Sequence, residues 1–184
     1  SKYDAAILDM DGVITKSARI HAEVWKRMFD EYLKSEAERQ GREFEPFDKE
    51  KDYYRYVDGK PRYEGAQSFL ESRDISIPFG DPADPPDKET VCGLGNRKNQ
   101  YFLAYLKKYG TEPYPSTVDF IRRMKARGLR VGAISSSRNA KEVLEAAGVL
   151  SLFHVIVDGM DSVKKNLKGK PEPDIFLEAA RRLN

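Results

Sequence analysis

The sequence predicts an α/β fold, a doubly wound parallel sheet with an all-helical subdomain inserted after the first strand. Three observations carry this reading. Apolar runs without polar alternation (Ala5-Ala6-Ile7-Leu8, residues 129–134 and Val155-Ile156-Val157) read as strands buried on both faces. Helical patterns separate the later runs, which calls for crossover connections and parallel pairing. Between the first two runs, residues 16–114 show amphipathic helical patterns and no strand-like run. A length of 184 residues fits one domain, or a core carrying one large insertion.

The first run ends in Asp9-Met10-Asp11-Gly12-Val13-Ile14, two acids two positions apart followed by a residue suited to a sharp turn. In open α/β sheets, ligands bind outside the carboxyl ends of the strands. One carboxylate there can attack an electrophile such as phosphorus while a second takes or returns protons. Both also suit magnesium, which prefers oxygen ligands. Taken alone, the pattern equally fits a strand followed by an Asp-Gly turn.

The insertion opens with Ile20, Val24, Trp25, Met28, Phe29, Tyr32 and Leu33 at helical spacing, which predicts a strong amphipathic helix. Further helices are expected around 63–72 and 96–108. Pro78, Pro82, Pro85 and Pro86 predict a long loop between them. Gly93-Leu94-Gly95 lacks the full dinucleotide-binding spacing and a preceding strand, so a loop is expected there too. Tyr53, Tyr54 and Tyr56 fit either a sugar pocket or bundle packing. Gly110, Pro113 and Pro115 break the helix and mark a return linker. The division expected is a core of 1–15 and 115–184, with 16–114 as the inserted subdomain.

The core resumes with Ser116 as N-cap candidate, Asp119 three residues on, and a helix stopping at Gly128. The second strand, 129–134, runs into Ser135-Ser136-Ser137-Arg138-Asn139, followed by a helix over 140–147 that closes at Gly148. Hydroxyls and free N–H groups at a helix start can receive phosphate oxygens, although an ordinary helix cap reads the same way. After the third strand, which His154 opens in a structural role, Asp158 and Asp161 read as a turn with caps. Gly169-Lys170-Pro171-Glu172-Pro173-Asp174 places a lysine, stiffened by prolines, just before a helix over 174–183. Such a lysine could neutralise a transferring phosphoryl group, or be merely solvated.

Composition narrows the class of partner. A net charge of +2 with 34% charged residues mixes both signs and points to no nucleic-acid or membrane partner. The one cysteine, Cys92, cannot form an internal disulfide and fits a reducing, cytoplasmic setting. No signal peptide or long apolar span is read.

The three motifs fall in order at successive strand ends, and here the chain resembles the haloacid dehalogenase superfamily, specifically its beta-phosphoglucomutase-like group. Asp9 to Ile14 matches the first motif, Ile134-Ser135 the second and Gly169 to Asp174 the third. The resemblance implies a Rossmann-like core with a helical cap. It implies Asp9 as a nucleophile forming an aspartyl phosphate, Asp11 as general acid/base, and Ser135 and Lys170 as holders of the phosphoryl group. Magnesium (Mg2+) would be bound by the Asp9 side chain and the Asp11 backbone carbonyl. Gly12, His21, Trp25, Arg62, Lys98, Ser136, Arg138 and Asn139 are the substrate-binding candidates. Arg62 leads among the cap residues because an arginine fork suits phosphate.

The activity implied is phosphoryl transfer on a small phosphorylated sugar, by a phosphatase or a mutase. The family's fourth motif, an acidic pair after a fourth core strand, would follow residue 183, and the sequence ends at Asn184. The chain is therefore expected to be part of a longer gene product, with further domains of the same polypeptide as potential partners, and to expose its first strand as an apolar edge. The alternative expectation is a non-catalytic module that binds a phosphosugar or a partner, as a fragment of a larger carbohydrate enzyme.

Overall fold

A computed structural model describes residues 2–184. Chain contacts divide it into two units. The first holds the residues up to Ala18, Gly59–Pro61 and Tyr109–Asn184, and the second holds Arg19–Asp58 and Arg62–Lys108.

The first unit is built on three parallel strands, β1 (Ala5–Asp9), β2 (Arg130–Ile134) and β3 (Val155–Val157), in the order β1-β2-β3. The register sets Asp9 opposite Ile134 and Ile134 opposite Val157, so all three strands end level. Level ends put the residues that follow each strand along one edge of the sheet. Helices α4 (Pro115–Ala126), α5 (Ala140–Ala146), α6 (Gly159–Lys165) and α7 (Asp174–Leu183) surround it. α7 packs across all three strands. Its Ile175 and Ala179 join Ile134 and Val157 in a buried cluster that also takes in Ile7, Val155 and Leu167. The match is close at Gly132, where an added Cβ would stand 3.1 Å from Leu183 Cδ1.

Two local expectations are corrected in this unit. α4 begins at Pro115 with Tyr114 in the N-cap position and no side-chain cap, so Ser116 lies inside the helix. The fixed φ of proline suits the first helical position, where its missing N–H has no intrahelical partner anyway. α6 was not expected as a helix. A capping box forms it: Asp158 accepts from the backbone N–H of Met160 and Asp161, and Asp161 accepts from the Asp158 N–H. Burial raises the Asp158 carboxyl above its ordinary value. His154 is structural as expected, its Nδ1 accepting from the Val131 N–H at 2.9 Å.

The second unit is helical. It contains most of α1 (Ser17–Gln40), a π-helical turn at Tyr53–Val57, α2 (Arg62–Ser72) and nearly all of α3 (Val91–Tyr109). The α1 stripe read from the sequence is the core: Val24, Trp25, Met28, Phe29, Tyr32 and Leu33 are all at most 6% exposed. Phe29 lies 5.2 Å from Phe47 and 4.3 Å from Phe69, centroid to centroid, so α1, the following loop and α2 share one aromatic cluster. Tyr53 joins this core, and Tyr54 is exposed with its ring edge-on to Tyr53 at 5.5 Å, so bundle packing explains the first.

Gly93-Leu94-Gly95 is helix, not loop, because α3 starts at Val91. Both glycines mark close approach. A Cβ on Gly93 would run into the Lys88 carbonyl, and one on Gly95 would sit 2.9 Å from the Tyr63 ring. Packing overrides the usual helical penalty of glycine.

The Pro-rich loop before α3 is ordered around Asp84, which accepts from Lys88, Thr90 and the Asp81 N–H at 2.7–3.0 Å. The Lys88 ammonium, with the other two donors, pulls the Asp84 carboxyl down to about 2. A depressed carboxyl contributes stability above its unfolded pKa, about 4, and loses it as pH falls through the folded value. Asp84→Asn is therefore expected to lower the urea midpoint at neutral pH. Urea titrations should show the gap to the native chain closing between about pH 4 and pH 2.

Candidate active site

Asp9 is the last residue of β1, where the side chain leaves the sheet without disturbing its core. Its Oδ1 accepts from the Met10 N–H and its Oδ2 accepts from Lys170 Nζ, both at 2.9 Å. The two side chains are 32% and 19% exposed, so the pair is open to a ligand while partly shielded from water. Lys170 is aimed by its setting, followed by Pro171 and by Pro173 at the N-cap of α7.

Beyond Asp9 the chain folds back on itself. The Met10 carbonyl accepts from the N–H groups of Val13, Ile14 and Thr15. Gly12 sits at φ +80°, a conformation in which a side chain is strained. This turn directs Asp11 toward β2. Its Oδ1 accepts from Ser17 Oγ at 2.6 Å and its Oδ2 from Ser135 Oγ at 3.0 Å. Thr15 Oγ1 lies 2.6 Å from Ser17 Oγ, and Thr15, Ser17 and Ser135 are all fully buried. Asp11 is thus held by hydroxyl donors, while Asp9 is held by a cation.

Ser135 directly follows β2, and its Oγ also accepts from the Ser137 N–H at 3.0 Å. Ser136 donates from Oγ to the Gly59 carbonyl at 2.8 Å. The Arg138 stem lies beside Gly159, whose added Cβ would approach its Cγ to 2.9 Å. Asn139 is buried in the N-cap position of α5 without a side-chain cap bond.

The remaining candidates belong to the helical unit. Lys98 is 5% exposed, with Nζ 2.8 Å from His21 Nδ1 and 5.0 Å from the centre of the Trp25 ring. An ammonium has only donors to offer, so a charged Lys98 makes Nδ1 the acceptor in this contact. His21 stacks on Phe102 at 4.3 Å. His21, Trp25 and Lys98 are therefore one cluster, and Lys98 is not a solvated surface lysine. Arg62 donates to Asn96 Oδ1 at 3.2 Å.

Ser17 was not among the expected site residues, although its signal was present, as a hydroxyl six residues past Asp11 at the start of a helix. Gly59 lies in the stretch Val57 to Arg62 that resembles the family's cap loop, but no pattern marks its carbonyl as the partner of Ser136.

Magnesium can be tested against the donor set. Among the described residues no three His, Cys, Asp or Glu side chains gather around one point. Magnesium usually takes one or two carboxylates and completes its shell with water and substrate phosphate. The oxygen donors of Asp9 and Asp11 fit that description.

A parallel sheet that presents an acid pair and a buried hydroxyl at its strand ends, met by a lysine from the segment before α7, is the framework of an α/β enzyme. The chain belongs to the haloacid dehalogenase-like hydrolases, whose family profile matches residues 3–184. It is 44% identical over 182 residues to a beta-phosphoglucomutase of Mycobacterium bovis, covering 99% of this chain and 70% of that one. A phosphorylated carbohydrates phosphatase of Thermotoga maritima is 28% identical over 188 residues, covering 98% and 71%. Among solved structures, a beta-phosphoglucomutase of Clostridium difficile superposes with a TM-score of 0.74 at 26% identity, covering 98% and 71%. Among the described residues no helix is long and apolar enough to cross a membrane.

Proposed function

We propose that the chain transfers a phosphoryl group on a small phosphorylated sugar through an aspartyl phosphate at Asp9. The observation that carries this reading is Lys170 Nζ at 2.9 Å from Asp9 Oδ2, a cation beside the attacking carboxylate. In the first half-reaction an Asp9 oxygen bonds to phosphorus and the bond to the leaving oxygen breaks, while Asp11 gives that oxygen a proton. In the second, an acceptor hydroxyl bonds to phosphorus, its proton goes to Asp11, and the Asp9 carboxylate is released. Ser135 and Lys170 hold the phosphoryl oxygens as charge redistributes. Magnesium, held by Asp9 and the Asp11 carbonyl, would neutralise phosphate charge when bound. A cytoplasmic setting belongs to this reading and is supported by the single, buried Cys92.

A sugar hydroxyl as acceptor makes a mutase, and water makes a phosphatase. The 44% identity to a beta-phosphoglucomutase favours the mutase. The chain is to be incubated with magnesium, beta-glucose 1-phosphate and a trace of the bisphosphate. Glucose 6-phosphate without free phosphate is the expected result, free phosphate would make it a phosphatase, and neither product would overturn the sugar-phosphate reading.

A further inference from the structure

Lys170 stands on a short turn between α6 and α7, and that turn is closed at its base. α6 ends at Lys165, Asn166 takes a left-handed conformation at φ +52°, and the Leu167 N–H returns to the Ser162 carbonyl at 2.8 Å. Leu167 packs against the buried cluster that Ile175 and Ala179 share with Ile134 and Val157, so the chain is anchored on either side of the turn. Within it the Glu172 N–H donates to the Gly169 carbonyl at 3.1 Å. Across it, Asp174 Oδ2 accepts from the Lys168 N–H at 2.9 Å.

An acid in the first turn of a helix ordinarily serves the helix, by capping an N–H or by placing charge at the positive end of the dipole. Asp174 is the first residue of α7, Pro173 takes the N-cap position, and no side-chain cap bond forms there. The Asp174 carboxylate instead reaches back six residues and ties down the backbone two positions before Lys170.

We propose that Asp174 is a positioning residue: by accepting from the Lys168 N–H it closes the 168–174 turn and fixes the backbone from which Lys170 Nζ meets Asp9 Oδ2. The inference rests on the reading above in which Lys170 holds the transferring phosphoryl group. Asp174 takes no part in the bonds made and broken. It acts through Lys170, so an acceptor oxygen at that place matters and negative charge does not.

Charge and acceptor can be separated. Asp174→Asn removes the charge and keeps an oxygen that can accept from the Lys168 N–H, whereas Asp174→Ala removes both. Asp174→Ser suits a helix start while its shorter side chain falls short of Lys168, and it is the second loss variant should alanine disturb α7. The readout is kcat/KM on beta-glucose 1-phosphate with magnesium and a trace of the bisphosphate. Moving a reacting group by about an ångström can cost as much as about 10²-fold, and the alanine and serine variants are expected to fall about tenfold. Asparagine is expected to stay within about twofold of native. Hydrogen exchange at the Lys168 amide should accelerate in the alanine and serine variants and not in the asparagine variant. In a Lys170→Met background, Asp174→Ala should cost less than about twofold more, because no ammonium is left to misplace.

A native rate in either loss variant overturns the proposal. So does an asparagine variant as slow as alanine, which would assign the effect to charge at the helix start, or an equal loss in both backgrounds, which would assign it to the fold. If Lys170→Met itself stays near the native rate, the reading of Lys170 fails and the role of Asp174 fails with it. If Lys170→Met is slow while Asp174→Ala is native, only the role of Asp174 is wrong.

Discussion

Asp9→Asn is expected to abolish turnover, with kcat/KM on beta-glucose 1-phosphate falling by on the order of 10⁴-fold or more. Asparagine matches aspartate in shape, and its amide oxygen can still accept from the Met10 N–H that bonds Asp9 Oδ1 at 2.9 Å. What it lacks is the charged oxygen that would bond to phosphorus and leave again as a carboxylate. The fold should not notice. The Asp9–Lys170 pair is 32% and 19% exposed, and pairs open to solvent contribute only about 0–1 kcal/mol. A urea midpoint close to native beside a lost rate is therefore the expected combination, measured by coupled glucose 6-phosphate and phosphate-release assays. A variant retaining a tenth of the native rate would remove Asp9 as nucleophile.

The strand ends were the legible part of this chain, because a buried parallel strand reads as an unbroken apolar run and stops where polar residues begin. β3 fell where Val155-Ile156-Val157 placed it, and β2 differs from the expected run only at Leu129. The errors fell where packing or a local bond competes with propensity. Two glycines, with neither the full dinucleotide-binding spacing nor a preceding strand, pointed to a loop at Gly93 and Gly95, and both sit where a neighbouring backbone or ring leaves no room for a Cβ. Ser116 lost the N-cap position to the Pro115 start, and α6 depends on reciprocal bonds between Asp158 and Asp161.

The site divides in the same way. Contacts made by residues that follow successive strands could be anticipated, since a level parallel sheet brings Asp9, Asp11 and Ser135 to one edge. Lys170 beside Asp9 spans 161 positions, and only the order of motifs along the chain pointed to it. Lys98 on His21 spans 77 positions between two helices of one unit, and no periodicity predicts which buried lysine meets which imidazole. Ser136 with Gly59 is of the same kind, a side-chain-to-backbone bond across 77 positions at a glycine.

Lys170→Met is expected to lower kcat/KM by about 10²–10³-fold, the usual loss when one preorganised charge facing the transition state is removed. Methionine keeps an unbranched apolar stem of similar reach and removes only the ammonium, so the segment before α7 should hold its course. With a partly exposed pair, the stability change should stay below about 1 kcal/mol, which a urea titration checks. Lys170→Arg tests charge against placement. A planar guanidinium is wider than an ammonium and distributes its charge over a fork. Arginine would not place a single compact charge where Lys170 Nζ meets Asp9 Oδ2 at 2.9 Å, and this should keep the rate well below native. An arginine variant at the native rate would show that charge suffices without placement, and a methionine variant within about tenfold of native would remove Lys170 from the reaction.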